Sequence, residues 1–140
     1  MSDHFEAVFS CFLRDDTPDS VLETLRWHLG LNDEEPESLD AENTPYPLLV
    51  PDSNSRLPGG DIASLRRTVQ EFTTSGERYE WELLARCYWV DDFTLWLDDL
   101  LTLIAPHVAR PGYGGHIRGE YGTGLKTITF REGTYDPVGI

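Results

Sequence analysis

The sequence predicts an α+β fold in two layers, with two helices on one face of an antiparallel sheet. Three observations carry that prediction. Phe5 to Trp27 and Trp81 to Leu103 repeat one plan at an offset of 76 positions: an alternating strand, an Asp-Asp turn, then an amphipathic helix. The offset pairs Glu6 with Glu82, Cys11 with Cys87, Asp15-Asp16 with Asp91-Asp92 and Leu25 with Leu101. Because it is even, both strands keep the same apolar phase. Finally, 140 residues with 39% hydrophobic and 26% charged content suit one domain, 1–140, with a core of its own.

The first strand runs from Phe5 to Arg14, with Phe5, Ala7, Phe9, Cys11 and Leu13 on its apolar face. Asp16 or Thr17 is placed to cap the helix that follows, with Pro18 in the first turn. Val21, Leu22, Leu25 and Leu29 form its stripe, and Gly30 is a natural stop.

Residues 31–60 read as a long acidic, proline-rich loop. Asn32 to Thr44 holds six acids and no base, and Leu48-Leu49-Val50 is the patch expected to pin the loop to the body. Ile62 to Phe72 fits helix or strand. A strand from Ser64 to Thr73 is preferred, because Thr73 to Arg78 makes a hairpin turn into the alternating run from Tyr79.

The central strand, Tyr79 to Val90, puts Trp81, Leu83, Ala85, Cys87 and Trp89 on its apolar face. Asp92 is expected to cap a second helix with the stripe Phe93, Trp96, Leu97, Leu100, Leu101 and Ile104, ended by Pro106. His116 to Tyr121 and Leu125 to Arg131 form a hairpin about Gly122-Thr123-Gly124. The glycines of Pro111 to Gly115 read as turns, and residues 134–140 as a loose tail. Duplicated strand-helix-strand halves make a ferredoxin-like arrangement with an extra edge strand, the two repeat strands side by side at the sheet centre.

That layout resembles small bacterial α+β proteins of about this size, a family without an assigned function. The resemblance covers most of the chain, rests on the layout alone, implies a fold, and carries over no catalytic residue.

The net charge of −14 disfavours nucleic acid and anionic membrane as partners. No apolar run is long enough to span a bilayer, and no secretory leader is visible at the N-terminus, so a cytoplasmic setting is expected. Cys11 and Cys87 read as buried thiols. His4, His28, His107 and His116 are scattered, with no zinc spacing, nucleotide motif or nucleophile elbow. No cofactor or metal is expected. The acidic doublets Asp15-Asp16 and Asp91-Asp92 fit helix caps, Asp98-Asp99 a solvated helix side, and His28 a helix end that welcomes positive charge.

The candidate binding surface is the sheet face turned away from the helices. Glu6, Phe12, Glu82, Arg86 and Tyr88 fall there together with Val8, Ser10 and Leu84, too apolar a set for plain solvation. Phe12 and Tyr88 mimic the base-stacking aromatics of RNA-binding sheets, but the charge opposes that use. A second polar cluster, His116, Arg118 and Glu120, shares one side of a strand and reads as a solvent-facing edge. The expected function is a non-catalytic interaction module that binds a second copy or a protein partner through the sheet face or the acidic surface. An immunity- or antitoxin-like role belongs to that class. The alternative is a small enzyme or ligand binder. Its pocket would lie between the sheet and the 31–60 loop, with Glu82, Arg86, Tyr88 and Glu6 lining it and one of the glutamates raised in pKa.

Overall fold

A computed structural model describes residues 4–36, 46–122 and 124–139. In chain order the elements are β1 (His4–Arg14), α1 (Asp19–His28), β2 (Ile62–Thr73) and β3 (Gly76–Val90). A 3-10 segment, Asp91–Trp96, leads into α2 (Leu97–Ile104), followed by β4 (Gly112–Gly119), β5 (Leu125–Arg131) and β6 (Thr134–Tyr135). The six strands form one antiparallel sheet in the order β2-β3-β1-β4-β5-β6. The fold is α+β.

β1 and β3 are neighbours, in the register Phe5↔Trp89, Phe9↔Ala85 and Leu13↔Trp81. Their odd-numbered side chains meet the helical stripes in one core that includes Phe9, Leu13, Leu25, Leu83, Trp89, Leu100 and Ile104. Phe9 and Trp89 lie 5.6 Å apart in a tilted pair. Burying each such side chain contributes roughly 1.5–3 kcal/mol.

β2 is a strand, as the hairpin turn at Thr73–Gly76 requires. Being at the sheet edge, it need not bury Ile62, Val69 or Phe72, all of which are exposed. α1 stops as expected: Gly30 takes φ +74°, its N–H reaches the Trp27 carbonyl, and the Leu31 N–H reaches that of Arg26.

Several expectations are corrected. Neither Asp16 nor Thr17 caps α1, whose N-cap is Pro18 without a side-chain bond. Thr17 donates instead to the Arg14 carbonyl, while Arg14 and Arg67 hold Asp16 and Asp15. Asp92 does not open an α-helix either: a 3-10 segment intervenes, and α2 has Trp96 as its N-cap. Gly112 to Gly115 are not turns but the first half of β4, with a bulge between Tyr113 and Gly115. A side chain at Gly114 would strike the Phe130 ring, and one at Gly115 the Val8 carbonyl. Glycine is there for close packing, not for chain reversal.

β4 is not an edge either. It lies between β1 and β5, so the His116 strand is interior to the sheet. The tail also carries structure: β6 pairs with β5, Val138 is buried, and Arg131 grips Asp136 at 2.7 Å. Leu48 and Leu49 pin the long loop as expected, though Val50 stays 44% exposed. The acids at 37, 40 and 42 lie outside the described residues. So does Thr123 of the β4–β5 connection.

The anchor for that loop is His28. It is not a cation at a helix end but a buried neutral ring whose Nδ1 accepts the Leu48 N–H at 3.1 Å. Its carbonyl accepts the Leu49 N–H, and burial pushes its pKa down to about 4.

Candidate functional site: the open face of the sheet

Paired residues in neighbouring strands point to the same side, so the register assigns the open face. Glu6 lies opposite Tyr88, Val8 opposite Arg86, Ser10 opposite Leu84 and Phe12 opposite Glu82. On the other side of β1, Glu6 faces Arg118 and Val8 faces His116. The two sets of residues singled out in the sequence therefore occupy a single surface.

Glu6 organises one end of it. Its residue is only 8% exposed. Arg86 donates to Oε2 at 2.9 Å, His116 Nε2 lies 3.1 Å from Oε1, and Arg118 Nε lies 3.4 Å from the same oxygen. Burial alone would raise the pKa of Glu6. The hydrogen bonds from His116 and Arg86 and the charges of Arg118 and Arg86 outweigh it and hold the carboxyl below its ordinary value.

The Tyr113 hydroxyl meets His116 Nδ1 at 2.8 Å, continuing the chain of polar groups outward. Arg86 also donates to the carbonyls of Pro58 and Gly60, at 2.6 and 3.0 Å, which fastens the end of the long loop to this corner. Glu120 sits between His4, at 3.8 Å, and Arg56, at 3.6 Å. Burial of the Tyr88 hydroxyl and the neighbouring Glu120 carboxylate push that phenol upward in pKa.

The opposite end repeats the device with different partners. Arg66 holds Glu82 at 3.1 Å. Glu80, 5% exposed, lies between Arg78 at 2.9 Å and Arg110 at 2.7 Å. The Arg110 guanidinium also stacks 3.9 Å above the Phe12 ring. Between the two ionic ends lie Val8, Ser10 and Leu84, the last 39% exposed.

Arg110, Tyr113, Glu80, His4 and Arg56 belong to this surface without having been singled out in the sequence. Strand alternation alone placed Glu80 on it. Arg110 and Tyr113 were hidden in a Pro/Gly stretch that reads as turns, and Arg56 in the loop.

A cleft of about 460 Å³ does lie between the long loop and the sheet. It is lined by Pro47, Leu48, Val50, Pro51, Cys87, Trp89 and Phe93, and of the residues expected to line such a pocket only Tyr88 takes part. Of the two glutamates named for a raised pKa, Glu6 goes the other way, held low by its cations. The thiols of Cys11 and Cys87 are unbridged and buried, and burial pushes each up to about 12, so neither is a nucleophile at neutral pH. Asp98 and Asp99 are exposed at the start of α2, and among the described residues no group of three or more His, Cys, Asp or Glu is placed to share a metal ion. No helix among the described residues is long and apolar enough to cross a membrane.

Chemically, the surface offers prearranged guanidinium-carboxylate pairs around an apolar strip, with each buried acid already neutralised. Such a surface recognises shape and charge. Comparison with known proteins finds no matching family model, curated protein or solved structure.

Proposed function

We propose that the protein is a non-catalytic interaction module that pairs with a second copy of itself through the open face of its sheet. The observation that carries this reading is the segregation of charge. Seven arginines (Arg14, Arg56, Arg66, Arg78, Arg86, Arg110 and Arg118) belong to the ionic network of this face and its rim, against six carboxylates. The rest of the chain keeps nineteen acids and four bases, on a total of −14. Two copies meeting through any other surface oppose negative fields. Meeting through this one, they oppose a near-neutral mosaic that complements itself.

The dimensions fit. Four strands about 4.8 Å apart and roughly eight residues long make a platform of about 20 by 25 Å. Two such platforms bury on the order of 1,000 Å², the lower end of specific interfaces. The ferredoxin-like plan belongs to the same reading. The order β4-β1-β3-β2, with a helix after β1 and another after β3, supports duplicated halves to which β5 and β6 are additions. Under that duplication the pairs Glu6–Tyr88 and Phe12–Glu82 are equivalents, so the face has an internal two-fold character that suits an isologous contact.

Radical footprinting against protein concentration tests the proposal. Phe12, Leu84 and Tyr88 become protected together as concentration rises, while Leu95, exposed on the segment leading into α2, does not change. Equal labelling at all concentrations contradicts it.

A further inference from the structure

We propose that the cleft at the end of β3 is a strand-pairing site for an extended, apolar peptide segment carrying a basic residue, supplied by a different protein. The inference is separate from self-association, because it concerns the edge of β3 and not the face of the sheet.

The pairing of β2 with β3 ends at Ile62↔Arg86, while β3 continues to Val90. The direction of the main-chain groups beyond that point follows from β1. The carbonyls of His4 and Phe12 accept N–H groups from Glu120 and Ala109, so even-numbered residues of β1 turn their main chain toward β4. Odd-numbered residues of β1 therefore face β3, where they pair with odd-numbered partners. It follows that even-numbered residues of β3, Tyr88 among them, turn N–H and C=O toward the side that β2 has left.

The long loop runs along that side without completing the sheet. Pro47 and Pro51 have no N–H to offer. The Leu48 N–H goes to His28, the Leu48 carbonyl accepts from Trp89, and the Asp52 N–H goes to Asp61. Among the described residues none makes a main-chain bond to Tyr88 from this side. What remains is a cleft of about 460 Å³ with apolar walls from Leu48, Val50, Pro51 and Phe93 beside an open rung of strand. An extended segment satisfies both at once: its main chain completes the rung and its side chains fill the walls.

Charge selects the kind of segment. Asp52 is on the lining, and Asp61, bonded to it through Oδ2, has its Oδ1 buried without a hydrogen-bond partner among the described residues. That bond, from the N–H of a lining residue at 2.8 Å, places the Asp61 carboxylate beside this cleft. Two carboxylates on a chain of net charge −14 favour a lysine or arginine in the occupant.

The probe is the peptide acetyl-Val-Lys-Val-Thr-Val-amide, titrated into the full chain while hydrogen exchange is followed at the Tyr88 amide by NMR. In the unliganded protein that amide exchanges readily, and saturating peptide slows it by about tenfold or more. N-methylation of alternate peptide amides, or glutamate in place of lysine, weakens binding by about tenfold, the effect of one or two lost bonds. Val50→Arg, at an exposed position, abolishes binding and leaves the amide spectrum of the core unchanged. A Tyr88 amide already protected without peptide overturns the proposal. So does a peptide that does not bind at millimolar concentration, or one that binds equally well when N-methylated.

Discussion

Glu6 and His28 show how burial decides what a titratable side chain is for. Glu6 is buried with cations and stays charged; His28 is buried against an N–H donor and stays neutral. Replacing Glu6 by Gln leaves Arg86 and Arg118 without their shared carboxylate and costs about 1–3 kcal/mol in urea unfolding at pH 7. The folded pKa of Glu6 lies below its ordinary value of 4.5. Its contribution is therefore present above the unfolded pKa and lost as pH falls through the folded one, so the gap between wild type and Glu6→Gln narrows as pH falls below 4.5.

For His28 the folded value, about 4, lies below the ordinary 6.5. The unfolded chain takes up the proton first, so stability falls as pH drops from 6.5 toward 4, by on the order of 3 kcal/mol. His28→Asn keeps an acceptor for the Leu48 N–H but does not titrate. Its stability is expected to fall less steeply than that of wild type across that window, with His107, also held low by burial, leaving a residual slope, and a slope equal to wild type contradicts the assignment.

At the scale of elements, the lesson lies in what alternation reveals and what glycine conceals. Period-two patterning placed Glu6, Phe12, Glu82, Arg86 and Tyr88 on one face, because side-chain direction in a strand follows from position alone. The same reasoning ran out at β4. Gly112 to Gly115 carry no side-chain pattern, and glycine-rich runs ordinarily mean turns, so the strand began too late and its place inside the sheet was lost. The physical cause lies in tertiary packing, where a neighbouring ring and carbonyl occupy the Cβ positions. Gly115→Ala, at φ +132° and against the Val8 carbonyl, is expected to cost about 3 kcal/mol or more in chemical denaturation. Gly133→Ala, at φ +75° with open space around it, meets only the backbone cost of about 1–2 kcal/mol. Equal effects at the two positions would contradict the packing explanation.

The helix caps depart from local preference for a related reason. Asp15, Asp16 and Thr17 have the composition of a cap, but Arg67 and Arg14 offer the carboxylates stronger, charged partners. Local preference gave way to a contact 52 positions away.

For the whole molecule, the α+β layout was legible because hydrophobic periodicity survives in a single sequence, and β1 pairs with β3 as expected. The candidate surface was legible only in part. The arginines that complete it come from the loop, the β2 edge and the β4 approach, and no local pattern announces that they reach Glu120, Glu82 and Glu80. Composition gave the sum of the charges but not their distribution. It is the distribution, a near-neutral mosaic on an otherwise acidic body, on which the proposed self-association rests.

That claim is tested most directly by the solution mass from light scattering, at low and high salt, of wild type and of Phe12→Glu/Tyr88→Glu. The account predicts a wild-type dimer that strengthens with salt as the repulsion between acidic bodies is screened. It predicts a folded monomer for the variant under both conditions. A wild type that stays monomeric at high salt, or a variant that dimerises like wild type, would contradict it.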